Sequence, residues 1–484
     1  MNDPIPLRLE FDPEVPSRIR ARISYAFRVF AAIHGHEVVD QDGGKRSLCC
    51  KYGGRGKQSG RSSCFHIPSR YVLRRTQDPP PPAEPYSYAG EQCYLFYGRD
   101  EISGKPDWLG EIFEWLSSAA EMSATSRDSI GRIPYNQSFF GRHSISPLRP
   151  YASFLMSWFE NSLTKLGGPE DLPPAPSPMP GASHLVVCSH DIDFYFVGRW
   201  GALLRFVKNM GIAVFVYRSQ SFLRDNLRLL FELARGTRVG DFLPPLLKAC
   251  RELGFSSTFF VLVRHQHRRD ANYTLEQIVP RLREIPKSGS SIGLHSSYQG
   301  VVENGDWNSE VAALEAGIGE RPLGGRQHWL RFDRHEKLFA NIEQARFLYD
   351  STLGFSDKVG FRNGASFAFP PYNFEREEPY GFLVIPLVVM DSALVLDALS
   401  CRGQAAKLAA TVLQESRRWS WGGCALLWHN PIDPTGVPDK VNRIFWELAK
   451  ARAQHQECWM SAEKFLTISR ARYERAGLLK ARQC

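Results

Sequence analysis

Apolar runs alternate with amphipathic stretches over the C-terminal two-thirds of the chain. The runs have the length and composition of buried strands and fall at 184–188, 257–263, 290–294, 383–389 and 423–428. Apolar residues at helical spacing lie between them, at 223–235, 245–253, 275–283, 308–316 and 405–417. Alternating strands and helices predict an α/β fold with a parallel sheet covered by helices. A closed or nearly closed (β/α) barrel fits this length at least as well as an open sheet.

A proline-rich stretch, 167–181, separates this region from the N-terminal part of the chain. Proline can join neither a helix interior nor a central strand, so the stretch is predicted to be an extended linker. Upstream, helical spacing at 17–33, 110–120 and 150–163 is mixed with loop-like segments rich in glycine, serine and proline. The predicted organisation is an α+β N-terminal domain (1–166), the linker (167–181) and a barrel domain (182–484).

The composition bounds the compartment and the partners. The net charge is +9, but the basic residues lie mostly in loops without a nucleic-acid-binding motif, so no nucleic acid is expected. The ten cysteines include no Cys-x-x-Cys pair, which favours buried thiols in a reducing compartment. No signal peptide is visible, and the longest apolar stretch, 383–399, is interrupted by Pro386, Asp391 and Asp397. A cytoplasmic protein without a membrane span is therefore expected, and the oligomeric state is left open.

Two carboxylates, Asp191 and Asp193, follow the apolar run 184–188. A strand that ends in two aspartates one residue apart is a common way to build a metal-dependent hydrolytic site. One carboxylate binds a divalent cation, and the other accepts a proton from the attacking water. Alternatively, both aspartates cap a following helix, where the helix dipole favours carboxylates.

Two further polar clusters follow strand-like runs. His295 comes just after the run 290–294, where an imidazole suits a metal with oxygen and nitrogen ligands, although a lone histidine is more often structural. The next cluster contains Arg326, His328, Trp329 and Arg331 within a few residues. Such a group can orient a carboxylate, bind a metal or stack on a sugar, and an ion-paired loop explains it equally well.

Two more clusters complete the series. Asp350 begins a segment that continues through Arg362 to Tyr372 and is rich in glycine and proline, so a set of turns is an alternative reading. His429 ends the buried run 423–428. A histidine in this position suits a general acid if a carboxylate holds its other ring nitrogen, and a structural histidine otherwise.

Taken in order, these segments resemble the polysaccharide deacetylase family, also called the NodB-homology or carbohydrate esterase family four domain. More closely, they resemble a bacterial subgroup with a His-Asp-x-Asp first motif and an uncharacterised N-terminal domain. The segments that carry the resemblance are "HDID", "SIGLHSS", "RQHWLRF", "YDSTLGF", "GFRNG", "FPPY" and "LLWHN". The resemblance implies a distorted (β/α) barrel of the NodB-homology type and metal-assisted hydrolysis of an acyl group on a sugar.

The resemblance also implies catalytic roles for four residues. Asp191 corresponds to the catalytic base, and Arg326 to the arginine that orients it. His429 corresponds to the general acid, and Asp350 to the carboxylate that tunes this acid.

For the metal, the resemblance implies Asp193 and His295 as ligands of a divalent ion, for which zinc is expected. Two departures from the family pattern matter here. Gln299 stands where the second ligand histidine is expected, so His328 is the candidate for the missing nitrogen. Ile192 separates aspartates that are adjacent in the usual pattern, so the roles of Asp191 and Asp193 could be exchanged.

The leading functional hypothesis is a metal-dependent hydrolase that removes an N-acetyl or related acyl group from a carbohydrate, in surface-polysaccharide metabolism. The alternatives are a catalytically weak glycan-binding module and an amidohydrolase acting on a small nitrogen compound. The side chains expected to bind substrate are Tyr298, Trp329, Arg331, Arg362 and Tyr372.

Overall fold

The structure is a computed structural model of the full chain. It describes residues 6–39, 47–53, 64–73, 83–88, 90–122, 124, 126–164, 176–195, 240–300, 307–400, 404–432 and 439–480, with isolated positions between 203 and 231. Most of the predicted helix at 223–235 and most of the predicted linker therefore lie outside the described residues.

The N-terminal part combines a small parallel sheet, a hairpin and helices. Strands β1 to β4 form the sheet in the order β2-β1-β3-β4, and β5 pairs with β6 in antiparallel fashion. The strands are β1 Pro6–Phe11, β2 Glu37–Val38, β3 Leu48–Tyr52, β4 Cys64–Ile67, β5 Glu84–Tyr88 and β6 Glu91–Leu95. The helices are Ser17–His34, Trp108–Leu116, Ala119–Met122, Phe139–His143 and Tyr151–Thr164, with a 3₁₀ turn at Tyr135–Gln137.

The first of these helices shows how the local sequence determines the element. Ile19, Ile23, Phe27 and Phe30 recur at helical spacing, and all four are buried. The helix ends at Gly35, whose φ of 80° lies in the left-handed region that glycine adopts without steric cost.

The C-terminal part is built on one large parallel sheet. Its strands are β7 His184–Ile192, β8 Thr258–Leu262, β9 Ser291–Ser296, β10 Gly324–Gln327, β11 Tyr349–Asp350, β14 Leu383–Val384, β15 Leu387–Met390, β16 Gly422–Leu427 and β17 Glu457–Met460. A separate pair, β12 Tyr372–Asn373 and β13 Glu378–Pro379, is antiparallel. The helices are Leu243–Leu253, Leu275–Leu282, Glu284–Lys287, Trp307–Ile318, His335–Gln344, Asp391–Ser400, Ala405–Trp419, Asp439–Ala451 and Ala462–Arg475, with 3₁₀ turns at His328–Leu330 and Arg452–His455.

One continuous segment, residues 383–390, closes the large sheet into a barrel. The strand order is β14-β11-β10-β9-β8-β7-β16-β15, and β17 pairs with the first half of β7. The two ends of this order, β14 and β15, are separated in the chain only by Ile385 and Pro386. The first half of the segment pairs with β11 and the second half with β16. The predicted distorted (β/α) barrel is thus confirmed, and the carboxyl ends of its strands meet at one rim.

The N-terminal part packs directly against the barrel. Tyr25 donates a hydrogen bond to the carbonyl oxygen of Pro370 (2.7 Å), and Trp421 donates one to the carbonyl oxygen of Ile33 (2.9 Å). Buried apolar side chains of both parts form one cluster. The division into two domains stays a prediction, because the described residues share a continuous core.

The described cysteines at 188, 250 and 424 are buried thiols inside apolar elements, as predicted. Among the described residues, every helix is too short or too polar to cross a bilayer.

Candidate functional site

The site begins at the carboxyl end of β7. Side chains alternate between the two sides of a strand, so Asp191 and Asp193 point the same way while Ile192 points into the core and is fully buried. The described contacts of both carboxylates are with side chains from the ends of other strands. This environment favours a functional pair over the helix-capping alternative.

Arg326 fixes the orientation of Asp191. It lies on β10, is fully buried, and donates from Nη1 to Oδ1 of Asp191 at 2.7 Å. Its remaining nitrogens donate to the carbonyl oxygen of Ser351 (2.9 Å), the hydroxyl of Ser351 (2.9 Å) and the hydroxyl of Ser189 (3.0 Å). A planar guanidinium held at three corners positions its carboxylate partner rigidly. The predicted pairing of Asp191 with Arg326 is present.

Asp193, His295 and His328 form a group with the geometry of a metal-binding site. One potential ligand atom from each residue lies within 4.8 Å of the other two. Nε2 of His295 is 3.2 Å and Nε2 of His328 is 3.7 Å from Oδ1 of Asp193. Both histidines are buried, and they come from the ends of the neighbouring strands β9 and β10.

The protonation chemistry of this group fits a divalent cation. Nδ1 of His295 donates to the carbonyl oxygen of Arg326 at 2.9 Å, so Nε2 is the atom left to face the carboxylates. Burial lowers the pKa of His295, but Asp191 and Asp193 outweigh burial and raise it, so a cation is favoured between these groups. Burial lowers the pKa of His328, which leaves a neutral imidazole with a lone pair. One carboxylate oxygen and two imidazole nitrogens are a donor set suited to zinc, which takes the place of the proton.

His429 faces the same group from the end of β16. Its Nε2 is 3.5 Å from Oδ2 of Asp193, and its Nδ1 is 2.7 Å from Oδ1 of Asp391. The backbone N–H of His429 also donates to Asp391, at 2.8 Å. Burial alone would lower the pKa of His429, but Asp391 and, further away, Asp193 and Asp191 raise it to about 10. The ring is therefore an imidazolium at neutral pH, as a general acid requires.

The carboxylate that holds His429 corrects the sequence interpretation. Asp350 was expected in this role, but its oxygens accept hydrogen bonds from the backbone N–H (2.8 Å) and hydroxyl (2.7 Å) of Thr352. Burial raises the pKa of Asp350 to about 6, against the effect of these bonds. Asp391 occupies the expected position instead, because it follows β15, which is paired with β16. Asp350 braces the turn after β11.

Three of the five expected substrate-binding side chains gather at the rim. Trp329 directly follows His328, its ring centroid lies 6.0 Å from the His328 ring, and it is 44% exposed. Tyr298 lies beyond β9, and the Arg331 guanidinium packs over its ring at 4.5 Å. Arg331 also donates to the carbonyl oxygens of Tyr298 and Ile130, both at 2.7 Å.

The other two expected substrate-binding residues have packing positions. Arg362 is buried, forms an ion pair with Glu121 of the N-terminal part at 2.9 Å, and donates to the carbonyl oxygen of Gly354. Tyr372 is 2% exposed, packs against Tyr25 and donates its hydroxyl to a carboxylate at 3.0 Å. The structure therefore does not bring these two side chains to the rim with the other three.

No protein-family model and no curated protein matches the chain. Several solved structures do match. The polysaccharide deacetylase Bc1974 from Bacillus cereus is 10% identical over 57% of this chain and 91% of its own, with a TM-score of 0.30. The peptidoglycan deacetylase PdaC from Bacillus subtilis is 11% identical over 61% and 95%, with a TM-score of 0.29.

Two further matches have the same low similarity. A family 4 carbohydrate esterase from Streptomyces lividans, in complex with acetate, is 11% identical over 57% of this chain and 92% of its own, with a TM-score of 0.29. A family 4 pseudoenzyme from Bacillus anthracis is 10% identical over 60% and 66%, also with a TM-score of 0.29. These proteins carry the family names that the sequence motifs suggest, and at this similarity they carry no argument about activity.

Proposed function

We propose that the protein is a metal-dependent hydrolase that removes an N-acetyl or related acyl group from a sugar. The observation that supports the proposal is that three groups of side chains lie together at one rim of the barrel. These are a carboxylate–imidazole donor group around Asp193, a carboxylate held by Arg326 and an imidazolium held by Asp391. Together these groups can supply the Lewis acid, the general base and the general acid of metal-assisted amide hydrolysis.

The roles follow from what each residue contacts. Asp193, His295 and His328 would hold the metal, for which zinc is the best match to the donor set. When bound, the metal would act as a Lewis acid toward the acyl carbonyl and the attacking water. Asp191, kept in place by Arg326, accepts the proton of that water. His429 donates a proton to the leaving amine from Nε2, because its Nδ1 is bonded to Asp391.

The different contacts of Asp191 and Asp193 also support a different role for each. Asp191 has one oxygen engaged by Arg326 at 2.7 Å, which fixes the orientation of its carboxylate and leaves the other oxygen to accept a proton. Asp193 has Oδ1 directed at the two histidines of the donor group and Oδ2 directed at His429. We therefore assign Asp191 as the base and Asp193 as the ligand, in the order that the family resemblance implies.

The biological setting is proposed from chemistry alone. An acyl-sugar hydrolase fits a role in surface-polysaccharide metabolism, and the buried thiols fit a reducing compartment such as the cytoplasm.

The test measures metal and activity together. Purified wild-type protein should contain about one equivalent of zinc or a similar metal per chain and release acetate from N-acetylglucosamine oligosaccharides. The Asp193→Ala, His295→Ala double variant should lose both, because two of the three ligands are gone. Gln299→Ala is the matched control, since this exposed residue stands where the usual family ligand is expected. A folded wild type that takes up no zinc and releases no acetate when zinc is added contradicts the proposal.

A further inference from the structure

A cationic and aromatic surface borders the candidate site on one side. Three successive loops, which follow β8, β9 and β10, contribute Arg269, Tyr298, Trp329 and Arg331. The Arg269 guanidinium lies 4.8 Å from the Tyr298 ring centroid and 5.7 Å from that of Trp329. It also donates a hydrogen bond to the Tyr298 hydroxyl. We call these four residues the rim platform.

The conformation of the rim platform is held in place by specific contacts. Trp329 has φ 63° and ψ 11°, and Leu330 has φ 51°, a left-handed conformation that non-glycine residues adopt at a cost. Arg132 of the N-terminal part donates to the Trp329 carbonyl oxygen at 3.1 Å and so helps to hold this turn. His267 stacks on Tyr298 with ring centroids 4.6 Å apart and planes 9° apart. Backbone strain of this kind concentrates at functional sites.

The charges of the platform are not neutralised by the surrounding ion pairs. Arg264 faces Glu310 at 3.5 Å, and Arg132 pairs with Asp128 at 2.7 Å. In contrast, within the part of the chain that the structure describes, Arg269 and Arg331 form no ion pair with a carboxylate.

The nearest acidic side chain does not take up this charge. Asp270 accepts hydrogen bonds from the backbone N–H groups of His267 (3.0 Å) and Tyr298 (2.9 Å), which occupy one oxygen each. The platform thus presents two guanidinium groups against one carboxylate that is already hydrogen-bonded. A guanidinium next to an exposed aromatic face is suited to a carboxylate or phosphate carried by a stacked ring.

We infer that the substrate is an anionic acylamino sugar or glycan, and that Arg269 binds its carboxylate or phosphate while Trp329 stacks on a sugar ring. This inference rests on the proposed function, since it names the substrate class of that site. Within the rim platform, Trp329 lies next to the proposed metal site, because its ring centroid is 6.0 Å from that of the candidate ligand His328. Arg269 is then a specificity-determining residue that the sequence motifs did not reveal.

The test compares Arg269→Gln with Arg268→Gln, which removes the same charge from an exposed neighbour in the same loop. Three probes are used: neutral N-acetylglucosamine tetrasaccharide, a tetrasaccharide that alternates glucuronate with N-acetylglucosamine, and N-acetylglucosamine 6-phosphate. For one or both anionic probes, Arg269→Gln should lower kcat/KM roughly 10- to 100-fold, the value of a hydrogen bond to a charged group. For the neutral probe the loss should stay below about threefold, and Arg268→Gln should resemble the wild type throughout. A selective loss on glucuronate or on phosphate identifies the anion.

A binding measurement separates this inference from the proposed function. Calorimetric titration of the three probes needs no turnover, so it also applies if no acetate is released. Preference for an anionic probe that disappears in Arg269→Gln supports the inference even if hydrolysis fails. Equal affinity of the wild type for neutral and anionic probes, or an equal loss on all of them in Arg269→Gln, overturns it.

Discussion

Replacing Asp391 by asparagine should remove the charge that keeps His429 protonated. The substitution keeps a side-chain oxygen that can accept the hydrogen bond from Nδ1 of His429. In the wild type this bond joins Nδ1 to Oδ1 of Asp391 at 2.7 Å. Two unit charges about 4 Å apart interact by about 4 kcal/mol at an effective dielectric constant of about 20. At about 1.4 kcal/mol for each tenfold change, this moves a pKa by about three. The pKa of His429, raised to about 10, should therefore fall close to its ordinary value.

The consequence should appear in the pH dependence of acetate release. In the proposed mechanism the imidazolium is the proton donor, so activity should fall as pH rises through the pKa of His429. In the wild type this alkaline limb should lie below pH 10, because a cation at Asp193 weakens one of the attractions that raise the pKa. In Asp391→Asn the limb should move to lower pH, and kcat at pH 8 should fall roughly 10- to 30-fold, because only that fraction of His429 stays protonated when its pKa is close to its ordinary value. KM and metal content should stay close to wild-type values.

The same profile measured on Asp350→Asn is the matched control. Asp350 is bonded to Thr352, so its replacement should leave the alkaline limb in place even if it lowers stability. An Asp391→Asn enzyme with activity within about threefold of the wild type, or an unmoved limb, would refute the reasoning. So would a shift of the limb in Asp350→Asn alone, which would restore the original sequence assignment.

Two further predictions concern buried charges. Arg326→Lys keeps a charge for Asp191 but cannot reproduce the bonds to Ser351, so kcat should fall roughly 10- to 100-fold at unchanged KM in acetate-release assays. Glu457 is buried, and burial raises its pKa, but the contacts with His184 (3.3 Å) and Arg417 (2.6 Å) are among those that lower it to about 2. The charged form therefore stabilises the fold above about pH 4.5, and this stability is lost as pH falls toward 2. In urea unfolding, Glu457→Gln should cost about 3 kcal/mol at pH 7 and almost nothing near pH 2, and a pH-independent difference would contradict this.

The long strands of the barrel were predictable because a buried strand produces a run of apolar residues in the sequence. The strands β7, β8 and β16 are buried along their whole length and contain apolar runs at 185–188, 259–262 and 424–427. By contrast, β10 is Gly-Gly-Arg-Gln and carries no such signal. A Cβ on Gly324 would lie 2.4 Å from the Tyr349 ring, so close packing rather than hydrophobicity selects these residues. Pairing in a barrel can thus impose strand structure on a segment without strand composition.

Asp391, the carboxylate that contacts His429, had the same kind of sequence signal as the site residues that were predicted. Asp391 directly follows the apolar strand β15, just as Asp191 and Asp193 end β7. In the sequence it was interpreted only as an interruption of a hydrophobic stretch. What the sequence could not supply is the strand order, since only the pairing of β15 with β16 brings Asp391 next to His429. A polar residue at a strand end is visible in the sequence, but its partner is determined by the sheet.

The same argument accounts for the departure from the family pattern at Gln299. A ligand histidine at that position would have to return to the rim from the loop beyond β9, but Gln299 is exposed and the chain turns there. The next strand along, β10, ends at Gln327 and delivers His328 with its ring centroid 4.9 Å from that of His295. Neighbouring parallel strands end at the same rim, so a donor lost from one loop can be replaced by a donor from the next without moving the metal. In the proposed site, His328 would thus take the place of the absent histidine and leave the proposed chemistry intact, because Asp193 is directed at both imidazoles.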